Sequence, residues 1–324
     1  MNIKYMFSTV EYHVGGAPAR IVTSGCPPIL GKTMTKKTEF VRERLDFVRE
    51  ITMEPPRGNP SMMGAILTDP CTEDADVGVV FMDINGYPNL CGHVSMAVGR
   101  LVLEQELSKW GARGSVKLDT AAGIVSAKRV RSEIFFTNVP SFKLFTTEIV
   151  IPKVGKIPID VCFGGDFFAM VDADVWGLDM MEASVDEKVN AGRVLFDAVE
   201  KLEVAHPEYR NINKIDVVMI YQKGEPYYRS VVVSDGGYWD RCPCGSGTSA
   251  LMALLHSRGE LKVDEPFGNM SPIGSVFKGT LLDEVRVGSL SAVIPDIVGR
   301  PYVIGLNRWV AERGDGRVDG YRRL

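Results

Sequence analysis

The chain has no run of basic residues, no long apolar stretch and few histidines, and each shortage removes a class of function. Its net charge is −4 over 324 residues, which argues against nucleic acid as a partner. No segment approaches the roughly 20 consecutive apolar residues that span a bilayer, so no membrane partner is expected. Met1 to Phe7 passes straight into polar residues without the apolar centre of a secretory leader. The six cysteines, Cys26, Cys71, Cys91, Cys162, Cys242 and Cys244, are too scattered for a disulfide framework, so reduced thiols in a cytoplasmic setting are expected. Cys242-Pro243-Cys244 lacks metal-ligand spacing and has no second Cys/His pair, so no metal is expected and Cys242 reads as structural. No lysine stands beside the Gly-rich turns to form a Schiff base with pyridoxal phosphate, and no P-loop or Ser-His-Asp signature occurs. The expectation is a protein that works without a cofactor.

What is there is ordinary in bulk and unusual in one place. Apolar residues make up 45% and charged residues 24%, normal for a globular chain long enough for two domains. The organising stretch is Asp240-Arg241-Cys242-Pro243-Cys244-Gly245-Ser246-Gly247-Thr248-Ser249-Ala250, which runs into apolar Leu251 to Leu255. It reads as a cysteine at the start of a buried helix. Free N–H groups and the helix dipole favour negative charge there, either a thiolate or a bound carboxylate. The same arrangement stands 153 positions earlier, where Cys91-Gly92-His93-Val94-Ser95-Met96-Ala97 runs into an apolar helix expected to end near Gly111. One such cysteine is more often a small buried hydrophobe. Two at equivalent helix starts suit an acid and a base on opposite faces of one carbon, titrating as a coupled pair.

Taken in order, the chain opens as strand, tight loop at Gly15-Gly16, and strand. Thr38 to Glu54 has helical spacing and is stopped by Pro55-Pro56. Met62–Thr68 and Val77–Asp83 read as strands, with a turn at Asn85-Gly86. Val116 to Phe145 alternates strands and turns. Val154 to Pro158 marks the expected boundary between a domain over 1–153 and one over 154–300, with the tail 301–324 packing back on the first. Gly164-Gly165 repeats the first Gly-Gly loop 149 positions on, so loops and cysteine helices recur in one order, the mark of a duplicated α/β unit. Ser184-x-x-Glu187 signals a capping box before a helix to about Leu202. Val217–Tyr221 and Arg229–Ser234 read as strands, and the chain beyond Gly259 is β-rich.

His93, two residues after Cys91, reads as a polar wall of the pocket, against the plainer reading of a hydrogen-bonded helix-start residue. Asp240 either supports its turn or accepts a bond from a substrate ammonium. Gly245-x-Gly247-x-x-Ala250 with Glu265 also fits a dinucleotide-binding pattern, which keeps a dinucleotide-dependent oxidoreductase open as an alternative. A non-catalytic imino-acid-binding module is a third class; it would keep the helix-end anion sites without needing paired thiols.

These residues resemble the proline racemase family, which shares the diaminopimelate-epimerase-like fold. Cys91-Gly92-His93 and Asp240 to Ala250 are similar to its two helix-start motifs. Gly15 to Arg20, Glu54 to Asn59, Asn138 to Phe142, Gly164 to Phe167 and Gly305 are similar to its supporting segments. Departures fall at Ala17, Asn59 and Cys242, where the family has Glu, His and Ser. The resemblance implies an α/β chain of two pseudo-symmetric domains, each a β-sheet wrapped around a central helix, with the site between them. It implies a cofactor-independent racemase or epimerase of an imino acid, usually a homodimer. Cys91 and Cys244 would be the bases. His93 and Asp240 would lie near the ring nitrogen, and Gly92, Gly245 and Ser246 near the carboxylate.

Two further positions, Met63 and Ser234, hold bulky aromatics in relatives that act on unsubstituted proline. Ser234 leaves room and a hydrogen-bond partner for a ring hydroxyl, and Met63 fills space flexibly. The expected activity is therefore 4-hydroxyproline 2-epimerisation. Proline racemisation comes next and dehydration of trans-3-hydroxy-L-proline third, because that branch typically has Thr where Cys244 stands.

Overall fold

In the computed structural model, which describes residues 2–104, 113–152 and 154–315, sixteen strands form one continuous sheet. In chain order they are β1 (Ile3–Val14), β2 (Ala17–Ser24), β3 (Met63–Thr68), β4 (Val77–Met82), β5 (Ser115–Thr120), β6 (Gly123–Val130), β7 (Glu133–Thr137) and β8 (Phe142–Ile151). They continue as β9 (Gly155–Phe163), β10 (Phe167–Asp172), β11 (Ile215–Gln222), β12 (Tyr228–Ser234), β13 (Phe267–Met270), β14 (Val276–Val287), β15 (Leu290–Gly299) and β16 (Pro301–Glu312). The helices are α1 (Met34–Arg44), α2 (Asp46–Met53), α3 (Gly92–Leu103), α4 (Ala173–Trp176), α5 (Val185–Val199) and α6 (Gly245–Ser257).

The strand order is β16-β1-β2-β3-β4-β5-β6-β7-β15-β14-β13-β12-β11-β10-β9-β8. Read inward from each end, the two halves are the same. Each runs antiparallel, antiparallel, parallel, antiparallel, parallel, antiparallel, antiparallel. The halves join where β7 meets β15. A parallel pair needs a crossover. Helices α1 and α2 make one crossover and α3 the next; in the other half α4 and α5, then α6, take the same places. The duplication inferred from the Gly-Gly loops and cysteine helices thus extends to every strand.

One strand of each half lies away from the strand that precedes it in sequence. β16 pairs with β1. β8 pairs with β9, at the opposite end of the order from β7. The change of side therefore falls between β7 and β8, near Asn138–Ser141, and not at the expected 153/154 boundary. The 154–158 segment runs from the turn at Val154 into the first residues of β9, which pair with β8. Local composition cannot show this, because a strand's partner is set by tertiary pairing.

Helices α3 and α6 are buried nearly all round, as their unbroken apolar sequences require. α3 packs against β1, β2, β5, β6 and β7, and α6 against β8, β9, β10, β14 and β15. Outside the first half's sheet, α1 and α2 close a second core with Phe7, Val41, Val48, Ile51 and Met82. The single helix expected over Thr38–Glu54 is broken at Leu45 (φ −129°, ψ 18°). The break leaves Leu45 buried in that core, with the apolar stripes of both short helices on it. The Ser184–Glu187 capping box forms, and α5 ends at Val199 rather than Leu202. The expected end of the first cysteine helix near Gly111 lies outside the described residues. No described helix is long and apolar enough to cross a membrane.

Candidate active site

The two cysteine helices point their N-termini at each other. Cys91 is the N-cap of α3 and Cys244 that of α6. The helices meet at Gly92 and Gly245: a Cβ on Gly92 would lie 2.8 Å from the Gly245 Cα, and one on Gly245 would lie 3.0 Å from the Gly92 Cα. Only glycine on both sides allows that approach. The Gly-Gly loops cross the same seam. Gly15 abuts Cys242 and Gly165 abuts Leu90, so each half's loop braces the other half's cysteine turn. Ser95 and Ser249 donate back to the carbonyls of Cys91 (2.8 Å) and Gly245 (2.9 Å).

The thiols have different neighbours. The His93 Nδ1 lies 3.4 Å from the Cys91 sulfur, and its Nε2 lies 3.3 Å from the Pro18 carbonyl. A carbonyl only accepts, so Nε2 carries the proton, and Nδ1 offers the thiol a lone pair. Burial holds His93 below the usual imidazole range. Cys244 instead accepts the Gly247 N–H at 3.3 Å, and its sulfur is 3.5 Å from the Ser246 hydroxyl. Its backbone sits at φ 62°, ψ 112°, a left-handed conformation that costs a non-glycine residue roughly 1–3 kcal/mol.

The helix-start N–H groups of Val94 and Gly247 lower the Cys91 and Cys244 thiols, but burial outweighs them. Burial pushes Cys91 well up, and the charge of Asp240 adds to that. Burial and Asp240 do the same to Cys244, against the Ser246 hydroxyl and the Gly247 N–H. The helix-start N–H groups thus act in the expected direction, while loss of water is the larger effect. Asp240 is itself raised by burial.

A cavity opens over both sulfurs. Cys91, Gly92, His93, Asp240, Cys244, Ser246, Met63 and Ser234 all line it. Gly245 does not; its place is at the helix contact. The Ser234 hydroxyl points back to the Tyr238 carbonyl at 3.3 Å. Residues the sequence reading missed are Asp83, Asp166, Lys214 and Asp216, which also line the cavity. Asp166 is held by the backbone N–H and side-chain amide of Asn89 (3.2 and 2.9 Å), and burial and Asp216 raise it. Lys214 pairs with one oxygen of Asp216 at 2.6 Å, while the other is buried with no hydrogen bond. The Gly164-Gly165 repeat was the signal that could have singled out Asp166; nothing local marked Asp216.

Cys242 is 1% exposed and its sulfur accepts the Cys244 N–H at 3.4 Å, a structural contact. Among the described residues, no cluster of three or more His, Cys, Asp or Glu is placed to hold a metal ion. The dinucleotide pattern loses its setting. Its glycines lie inside the first turn of α6, while the preceding strand β12 ends at Ser234. Glu265 holds a turn through the Lys262 N–H.

The model of the proline racemase family matches residues 9–322. The chain belongs to the proline racemase family. It is 37% identical to a proline racemase of Acetoanaerobium sticklandii, over 96% of this chain and 97% of the relative. It is 36% identical to a 4-hydroxyproline 2-epimerase of Streptosporangium roseum, over 99% of both. The crystal structure of a hydroxyproline epimerase from Agrobacterium vitis, with bound trans-4-hydroxy-L-proline, superposes with a TM-score of 0.91. It has 27% sequence identity and covers 100% of this chain and 96% of that one. Relatives of near-equal identity within the proline racemase family are thus named for different substrates.

Proposed function

We propose that the protein is a cofactor-independent epimerase that inverts the α-carbon of 4-hydroxyproline, using Cys91 and Cys244 as the two acid/base groups. The supporting observation is the pair of sulfurs at opposed helix starts over one cavity. The substrate carboxylate is taken by the N–H groups of the two helix starts. Its ring ammonium sits by Asp240 and His93. That cation offsets the Asp240 charge that raises both thiols, so the substrate itself helps one thiol ionise. The thiolate removes the α-proton and becomes a thiol. The opposite thiol then gives its proton to the other face of the carbanion and becomes the thiolate. The pair ends with its roles exchanged, ready for the reverse turnover.

The ring is assigned from the wall. Ser234 is small, and Asp166 and Asp216 add acceptors beyond it. One Asp216 oxygen is buried without a partner; a methylene-only ring leaves it so, whereas a ring hydroxyl can donate to it. Identity to the Acetoanaerobium relative makes proline racemisation the second reading. The test is kcat/KM for trans-4-hydroxy-L-proline against L-proline, in wild type and Ser234→Phe. The reading requires a preference for the hydroxylated ring that Ser234→Phe reverses; a wild-type preference for proline overturns the substrate but leaves the two-thiol chemistry standing.

A further inference from the structure

At the other end of β12 from Ser234 lies a second cavity, bounded by the first turn of α5, the start of β12 and the turn between β13 and β14. Its charged lining is Lys188 and Arg229, with the hydroxyls of Ser230 and Ser271 beside them. Lys188 is only 7% exposed, yet its ammonium makes no hydrogen bond or ion pair among the described residues. The Arg229 Nε is buried with no partner. Its Nη1 meets only the Met270 sulfur, at 3.0 Å, a weak acceptor. Burial and the charge of Arg229 lower the Lys188 pKa, while the charges of Asp179 and Glu187 raise it.

The acids within reach are otherwise engaged. Asp179 accepts the N–H groups of Met181 (2.7 Å) and Glu182 (3.4 Å). Glu187 accepts the Ser184 N–H and hydroxyl in the capping box, both at 2.7 Å. Ser230 accepts from the Asn269 amide at 2.9 Å, and the Ser271 hydroxyl lies 2.8 Å from that of Ser275. The guanidinium, with its Nε buried and unpartnered, and the neighbouring ammonium therefore carry the case. Two cations lining one space match the several oxygens of a dianion.

We propose that this cavity is a binding site for a phosphate-type dianion, separate from the thiol site. Its wall touches the chemistry through one residue. The Asn269 amide nitrogen lies 2.9 Å from Ser230, 3.0 Å from Thr248 Oγ1 and 3.3 Å from the Pro243 carbonyl, between Cys242 and Cys244.

The experiment is thermal unfolding and titration calorimetry of the full chain with inorganic phosphate, against sodium acetate and sodium chloride at matched ionic strength. Phosphate should raise Tm saturably, and the two monoanion salts should not. The response should persist after both active-site thiols are alkylated. Lys188→Met should weaken phosphate binding about tenfold or more. Arg229→Gln should weaken binding independently of any effect on folding, read by calorimetry. The proposal falls if phosphate gives no saturable response, if acetate matches it, if alkylation abolishes it, or if Lys188→Met leaves the affinity unchanged.

Discussion

Cys91 and Cys244 hold the same place in the two halves, 153 residues apart, and the residues two further on, His93 and Ser246, keep that offset. Yet one sulfur faces an imidazole from a relaxed backbone (φ −138°), and the other faces a hydroxyl and an N–H from a left-handed one (φ 62°). Duplication thus fixed where the sulfurs stand, while divergence set how each holds its proton. A two-sided inversion needs the first kind of symmetry and tolerates loss of the second.

The largest test of that equivalence is removal of each sulfur. Cys91→Ser and Cys244→Ser should each lower the rate of inversion by about 10²–10⁴-fold, since a hydroxyl is a far weaker base. Polarimetry and α-deuterium exchange measure this; near-normal inversion in either variant makes the halves inequivalent and ends the two-thiol model. Next comes the seam. Gly92→Ala forces a Cβ onto the facing backbone, and a displacement of about 1 Å between the helix starts should cost about 10²-fold in kcat. The same overpacking should cost about 1–3 kcal/mol in stability, read by denaturant unfolding. An active, stable Gly92→Ala would mean the helices can part without moving the thiols.

A pH series separates the two sulfurs. Asp240 raises both thiols, so Asp240→Asn should move the alkylation midpoint of both cysteines to lower pH. Ser246 lowers only Cys244, so Ser246→Ala should move the Cys244 midpoint to higher pH and leave Cys91 in place. Peptide mass spectrometry reads each cysteine by itself, and parallel movement in Ser246→Ala contradicts the asymmetry. The smallest effect is conformational. At 244, glycine should be more stable than alanine by about 1–2 kcal/mol, because alanine keeps the left-handed penalty. At 91, with an extended backbone, the order should invert. Thermal melts of the four variants compare them directly.

Much of this was legible in the chain. The cysteine turns announce themselves locally, because glycine, small polar residues and an apolar run are what a buried helix start demands. Ser184 and Glu187 did the same for α5. What was illegible was non-local. β16 pairs with a strand from the far end of the sequence, and nothing local shows that β8 parts from β7. Asp216 reaches the cavity from a strand whose alternation looks ordinary. The thiol pKa values are raised because burial, a property of the packed molecule, outweighs the helix end that the sequence does show.

The pairing of β16 with β1 sets an order of events during synthesis. Ribosomes add about 5–20 residues per second, and chains fold from the N-terminus as they emerge. The first half carries Cys91, but its outer edge stays open until residues 301–312 are made. The second half receives its own edge strand, β8, at the start of its sequence. The later half is therefore the first that can close, and the earlier one waits on β16. Until then β1 exposes an unpaired edge to other nascent copies, which makes the arrival of β16 the step that commits the molecule to its own sheet.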